Sequence, residues 1–449
     1  MNSIAVPLWR QLQAAASVLA AVRHGESTAP ALARLEPGLR PAAQALAFQA
    51  LRNLGRAEAL RRLLAQRAPP PVADALLCTA LALAWNQQDA PYEAFTLVDQ
   101  TVEAAKRDPA ARGQANFINA CLRRFLRERD ALLTASDRDP VARWNHPRWW
   151  IERVQADHPE HWEEILRANN SQAPMTLRVF DRKVPRDEYL QTLAAAQMPA
   201  SPVGRHGVLL HRPRPVHEIP GFDEGLVSVQ DAAAQLAAPL LLEGLVGRNM
   251  PLRVLDACAA PGGKTAHLLE ISDAAVTALD LDPVRCERIR DTLRRIGLQA
   301  QVVAADAARP SAWWDGVPFD AILLDAPCTA SGIVRRHPDV RWLRRESDIA
   351  QLAAQQARLL DALWPLLAVG GRMLFCTCSV FRAEGEVQIQ TFVAHNKDAV
   401  LQPAPGHFLP QSGAKGNGVP DNPDSDHDGF FYALLEKSST PLGQAPQTA

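Results

Sequence analysis

Two cysteines carry the most chemical information in this 449-residue sequence. Cys328 sits in DAPCTASG (325–332) and Cys378 in CTCSV (376–380), each at the end of an apolar run of strand length. A thiolate forms and breaks bonds to carbon readily, so a cysteine at such a place is a candidate covalent nucleophile. A free thiol is little ionised near neutral pH, and a nucleophilic one is expected to have its pKa lowered locally. A buried cysteine is ordinarily a small hydrophobe. Two of them at neighbouring strand ends, beside a glycine-rich loop, favour reaction over packing. Asp325 opens the first of these motifs and is a third candidate for the reacting centre.

The glycine-rich loop is in RVLDACAAPGGKT, residues 253–265. It reads as a strand, a turn holding Pro261, Gly262 and Gly263, and a helix start. Glycines there let a ligand approach the backbone, and the first turn of the helix presents free N–H groups. Asp280 ends the next strand, 18 residues after Gly262, where a carboxylate reaches the ribose hydroxyls of a nucleotide-like cofactor. Asp306 ends the following strand and is placed to meet an adenine. The loop is neither GxGxxG nor GxxxxGK[ST], which argues against a dinucleotide and a nucleoside triphosphate. A ribose acid without a diphosphate cradle suits S-adenosylmethionine. The turn at Pro261, Gly262 and Gly263, with Asp280 and Asp306, forms the expected cofactor site.

These residues need a scaffold, and from residue 251 the sequence alternates strand and helix patterns. RVLDA (253–257), VTALDL (276–281), QVVAAD (301–306), FDAILLDAP (319–327) and RMLFCTCS (372–379) read as strands. Residues 264–271, 284–296 and 346–367 read as helices, with Gly297 at a C-cap position. Alternation of this kind predicts an α/β, doubly wound, mostly parallel sheet, whose ligand chemistry collects at the carboxyl ends of the strands. GFFYALLE (429–436) has no helix after it and is expected as a late edge strand. Residues 136–248 mix helix and strand and read as a small α+β linker domain. The Ser-, Thr- and Pro-rich residues 438–449 are expected to be disordered.

Residues 1–135 read as an all-helical domain. Within it, Phe117, Ile118, Cys121, Leu122, Phe125 and Leu126 form one apolar stripe, with Arg123, Arg124 and Arg127 on the rest of that helix. Residues 1–130 carry 16 Lys and Arg against 11 Asp and Glu, although the whole chain has a net charge of only −1. Such a face is either simply solvated or contacts phosphates. RRHPDVRWLRR (335–345) places five arginines just after the Cys328 motif, and Arg335 and Arg336 are further candidates for RNA contact.

The exclusions are as useful. Seven cysteines offer no disulfide framework, and Cys376-x-Cys378 lacks the partner ligands of a zinc site. No apolar run reaches the length of a membrane span, and the N-terminus does not read as a signal peptide. DSDHDG (424–429) starts like a calcium loop, but Leu435 stands where the twelfth position requires Glu. The expectation is therefore a reduced, cytoplasmic, monomeric protein with no metal and no membrane partner.

CAAPGGKT, LLDAPCTASG and CTCSV together resemble the motifs of RNA 5-methylcytosine methyltransferases of the NOL1/NOP2/Sun family. QANFINACLRRFL resembles the NusB-type RNA-binding domain of that family's bacterial Sun/Fmu branch. HPRWWIERV, NNSQAPMTLRV, IPGFDEGLVSVQDAAAQL and DGFFYALL extend the likeness to roughly residues 5–436. The resemblance implies S-adenosylmethionine-dependent methylation of C5 of a cytosine in 16S ribosomal RNA, unpaired or in a loop. It also implies that Cys258, Ala259, Ala260, Pro261, Gly262, Gly263 and Lys264, with Asp280, Asp306 and Asp325, bind the cofactor, that Cys378 is the nucleophile and that Cys328 assists product release. The chain departs from the family after CTCS, where Arg382, Ala383, Glu384 and Gly385 stand in place of Pro, Glu, Glu and Asn. That puts the start of the next helix in doubt, and Cys376 is an extra thiol without an expected role. Two other readings stay open: an RNA-binding assembly factor that no longer turns over, and a methyltransferase acting on tRNA.

Overall fold

A computed structural model describes residues 6–88, 90–245, 251–410 and 426–439. Its chain divides into two compact units, one of Met1–Ser171 with Val334–Glu346, the other of Gln172–Ile333 with Ser347–Ala449.

The first unit is helical. Leu8–Arg23, Arg40–Arg52 and Pro71–Ala84 supply its centre, and Pro71–Ala84 is apolar on nearly all sides because it is surrounded. The helix Ala115–Arg127 buries Ile118, Cys121, Leu122 and Phe125 and leaves Arg123 and Arg127 exposed, as its stripe predicts. Val334–Glu346 leaves the sheet motifs in sequence and joins this unit. Its Trp342 and Leu343 pack on the helical core, and Trp342 Nε1 donates to the Leu51 carbonyl at 2.9 Å. Asp339 accepts from the Thr28 amide and hydroxyl at 2.8 and 3.1 Å.

This corrects the reading of the arginine-rich segment. Arg335 and Arg341 have no exposed surface. Arg341 donates to the backbone carbonyls of Asn145 and Asn169 and to the Asn170 side chain. The Arg335 carbonyl accepts from Arg52 at 2.7 Å. A buried guanidinium satisfies carbonyls that helix ends leave free. Arg335 therefore does not present its side chain to RNA, and Arg336 is half-buried.

The second unit holds two sheets. The smaller is antiparallel, ordered β2-β3-β1-β4, from β1 (Met175–Val179), β2 (Ala200–Val203), β3 (Gly207–Leu210) and β4 (Val227–Val229). The larger contains β5 (Arg253–Ala257), β6 (Ala275–Asp280), β7 (Gln301–Ala304), β8 (Phe319–Asp325), β9 (Leu367–Thr377), β10 (Ala399–Phe408) and β11 (Phe430–Lys437), ordered β10-β11-β9-β8-β5-β6-β7. Strands β9, β8, β5, β6 and β7 are parallel, so their carboxyl ends share one edge of the sheet. Leu255 and Leu323 are buried on opposite faces, which is why these strands read as continuous apolar runs.

Two expectations change. β11 is not at the edge: it lies antiparallel between β9 and β10. The edge strand is β10, whose Pro403 and Pro405 cannot donate to a ladder and hid it from a strand reading. The helix expected to run to Leu367 ends at Leu363, and β9 begins at Leu367. The start of the next helix, left in doubt by the departure after CTCS, does form, as Glu386–His395. Gly385 suits it, since a Cβ there would lie 2.6 Å from the Phe431 ring. The stretch 438–449 lies outside the described residues beyond Ser439.

Candidate active site

The site is built from five strand ends and the loops that follow them. After β5, Cys258 adopts a left-handed backbone (φ 62°), and Gly262 does so at φ 98° as the N-cap of the helix Gly263–Ile271. A non-glycine residue there is strained and persists only where its surroundings enforce it. A Cβ on Gly262 would also meet Ile289 at 3.1 Å, so glycine is required twice over. Burial raises the Cys258 thiol to about 12, which makes it a poor nucleophile.

Asp280, at the end of β6, is 2% exposed. One of its oxygens accepts from the Ala260 amide at 3.1 Å and the other from the Asp282 amide at 3.2 Å, with Arg285 at 3.4 Å. Asp280 therefore anchors the glycine-rich loop as well as offering its remaining lone pairs to a ligand. Arg285, which sequence reasoning missed, also donates to the Ala260 carbonyl at 3.1 Å. Asp306 lies two residues past β7 with its side chain one-third exposed, and accepts from the Ala308 amide at 3.0 Å. Two acids at neighbouring strand ends, small apolar residues between them and a glycine turn without a diphosphate cradle fit a nucleoside bearing a cationic sulfonium.

Asp325 ends β8. Lys264 donates to its Oδ2 at 2.7 Å, and Cys376, opposite it on β9, donates to its Oδ1 at 3.5 Å. Burial alone would lower the Lys264 ammonium, but Asp325, together with smaller contributions from Cys376 and Cys378, more than offsets it and the pKa rises. Lys264, expected among the cofactor residues, is thus held at Asp325. Cys376 acquires a role that the sequence did not suggest, orienting the Asp325 carboxylate. Burial, then the nearby Asp325 charge, pushes the Cys376 thiol well up, so it stays protonated as a donor.

The two thiols meet. Cys328 Sγ and Cys378 Sγ are 3.4 Å apart, Cys328 buried and Cys378 half-buried. Cys328 is held well above an ordinary thiol by its hydrogen bond to Cys378, by burial, and by the charges of Cys378 and Glu384. The chain after Cys328 passes through Ala330 at φ 60°, and Gly332 closes on Gly429, whose amide donates to the Gly332 carbonyl at 2.8 Å. A Cβ on Gly332 would sit 2.0 Å from the Gly429 oxygen. His427 and Asp428 of the calcium-like sequence are buried, and no group of three metal-ligating side chains occurs among the described residues. Among them no helix is long and apolar enough to cross a membrane.

Asp256 in β5 was also missed. It is fully buried, accepts from the Thr265 hydroxyl at 2.5 Å, and has no partner for its other oxygen among the described residues. Burial pushes its carboxyl up to about 7. Arg178 on β1 is likewise buried. It pairs with Glu270 at 2.6 Å and donates to the Gly263 carbonyl at 2.9 Å, tying the small sheet to the helix that starts the glycine loop.

Residues 248–436 match the family 16S rRNA methyltransferase RsmB/F, residues 146–217 its ferredoxin-like domain, and residues 10–127 the NusB family. The chain is 42% identical to ribosomal RNA small subunit methyltransferase B of Pseudomonas syringae pv. tomato, over 94% of this chain and 96% of that one. It is 38% identical to the protein of that name in Vibrio cholerae serotype O1, again over 94% and 96%. A solved methyltransferase homolog protein from Pyrococcus horikoshii is 28% identical with a TM-score of 0.53, over 66% of this chain and 97% of that chain. The convergent strand ends, the paired thiols and these matches lead to one assignment: the chain belongs to the RsmB/F family of 16S rRNA methyltransferases, with a NusB-type helical domain at its N-terminus.

Proposed function

We propose that this chain methylates C5 of a cytosine in 16S ribosomal RNA, with S-adenosylmethionine as methyl donor and a covalent Cys378–C6 adduct. The observation that carries the reading is the pair of thiols 3.4 Å apart beside the Lys264–Asp325 ion pair. Cytosine C5 is too weak a nucleophile to take a methyl group unaided. Addition of the Cys378 thiolate to C6 breaks the C5–C6 double bond and makes C5 enamine-like. Asp325, bonded by Lys264 and Cys376, would accept a hydrogen bond from the N3 edge of the ring, protonated in the adduct, and so stabilise it. The 258–264 loop with Asp280 and Asp306 would hold S-adenosylmethionine, which would supply an electrophilic methyl group and leave as the neutral thioether S-adenosylhomocysteine. A base then takes the C5 proton, the C–H electron pair re-forms the C5–C6 double bond, and the C6–S bond breaks so that Cys378 leaves as a thiolate, with Cys328 assisting. The base must leave its stack to reach the strand ends, so an unpaired or loop cytosine is the substrate.

The test is a denaturing gel with labelled 16S rRNA and cofactor. Cys378→Ala is expected to form no adduct and transfer no methyl group. Cys328→Ala is expected to attack and methylate but release slowly, so a protein–RNA adduct accumulates. A stable adduct in Cys378→Ala with none in Cys328→Ala reverses the two roles. Bisulfite sequencing of RNA from a strain lacking the protein then identifies the cytosine; a change confined to tRNA overturns the ribosomal reading.

A further inference from the structure

We infer that Glu384 is a positioning residue that fixes the separation of the two reactive thiols. The inference rests on the reading of Cys328 and Cys378 as a working pair. Glu384 has no exposed surface and sits in a short turn, Arg382–Glu384, just beyond the Cys378 motif. Its Oε1 accepts from the Thr329 amide at 2.8 Å. Its Oε2 accepts from the Thr329 hydroxyl at 2.5 Å and from the Ser379 hydroxyl at 2.6 Å. Thr329 and Ser379 are the residues that immediately follow Cys328 and Cys378. One carboxylate thus grips the next residue after each thiol, across 55 residues of sequence on the Thr329 side.

The surrounding bonds converge on the same purpose. The Ser331 and Ser379 hydroxyls are 2.8 Å apart, the Val380 amide donates to Ser331 at 2.9 Å, and the Gly332 amide donates to the Cys378 carbonyl at 2.9 Å. Thr377 donates to the Glu384 carbonyl at 3.1 Å, closing the turn on the strand that bears Cys378. An ionised carboxylate only accepts, and three donors from two loops meet it. No aliphatic side chain could replace it without leaving buried donors unpaired. A glutamine in its place could still accept from the Thr329 amide while its NH₂ donates to the two hydroxyls, which can turn to accept. The one-carbon-shorter aspartate could not span both loops.

The experiment measures the thiol spacing directly, without relying on methyl transfer. Phenylarsine oxide condenses with two adjacent thiols, forming two As–S bonds and releasing one water. Bridging is followed by mass spectrometry on the full-length chain, with Cys328→Ala defining the background. Wild type is expected to bridge, Glu384→Gln to bridge within about threefold of it, and Glu384→Ala and Glu384→Asp to lose at least about tenfold in arsenical affinity. With RNA, Glu384→Asp is expected to lose about 100-fold in kcat, the effect of a roughly 1 Å misplacement, with KM for RNA nearly unchanged. If Glu384→Ala does not fold, Glu384→Asp decides. Wild-type bridging in Glu384→Asp overturns the inference, and so does loss of bridging in Glu384→Gln, which would assign the effect to charge and not to geometry. If no RNA adduct forms even in wild type, the chemical reading has failed while the arsenical result still judges Glu384.

Discussion

In the helical unit, the buried Arg341 guanidinium serves backbone carbonyls of Asn145 and Asn169, and nothing around it is arranged to react. In the sheet unit, buried Asp256, Asp280 and Glu384 and the paired Lys264 and Asp325 lie at or near the carboxyl ends of parallel strands, beside two thiols. Both regions bury charge. At Arg341 it is dispersed over peptide groups as a structural tie; at the strand ends titratable groups of both signs collect along one edge. The lesson is that arginine density in a sequence says little about function until burial is known. Strand-end position says much more, because parallel topology brings consecutive strand ends together whatever lies between them.

The comparison breaks most visibly at Arg341. Arg341→Ala leaves two buried carbonyls and the half-buried Asn170 side chain without their donor, at a cost of about 2–4 kcal/mol. Hydrogen exchange is expected to show lost protection in residues 140–170 with the 258–264 loop unchanged. Equal loss in both regions would mean that the arginine is not local to the helical unit's structure.

Asp280→Ala tests the opposite side. It removes an acceptor from the Ala260 and Asp282 amides and a partner for the ribose, and is expected to weaken S-adenosylmethionine binding by about 1–3 kcal/mol. Titration calorimetry giving unchanged affinity removes Asp280 from the cofactor site.

Asp256 sharpens the comparison through pH. Its folded pKa of about 7 lies above its unfolded value, so its stabilising contribution is complete below about pH 4 and is lost as pH rises through 7. Asp256→Asn stays neutral throughout. Its melting temperature relative to wild type is expected to climb between about pH 5 and pH 8, by an amount equivalent to about 1–3 kcal/mol. A difference that does not vary with pH would place the proton elsewhere.

The smallest effect is expected from Arg123, Arg124 and Arg127. Arg123 and Arg127 are exposed, and Arg124 is paired with Glu128 at 2.9 Å. The triple alanine variant is expected to lower the salt dependence of RNA binding by about one unit of slope for each phosphate contact removed, with kcat unchanged. A wild-type slope would make this face merely solvated, and the helical unit would then need another RNA surface.

Most of the site was legible in one dimension because its residues are local to motifs. A glycine turn before a helix, an acid at a strand end and a cysteine at a strand end are each set by a few consecutive residues. The periodicity of residues 115–127 and the apolar runs of β5, β6, β8 and β9 determined their elements for the same reason. What only the tertiary structure decided are pairings between residues far apart in sequence. Strand order placed β11 inside the sheet, because an antiparallel hairpin with β10 needs no helix to announce it. Burial turned Arg335 from a candidate RNA contact into an interior residue and put Arg341 beside it in the interior. Convergence of β8 and β9 gave Cys376 an acceptor in Asp325, brought Cys328 and Cys378 to 3.4 Å, and set Glu384 between the loops that carry them. Hydrogen bonds across such distances leave no periodicity in the sequence, since either partner alone is an ordinary polar residue.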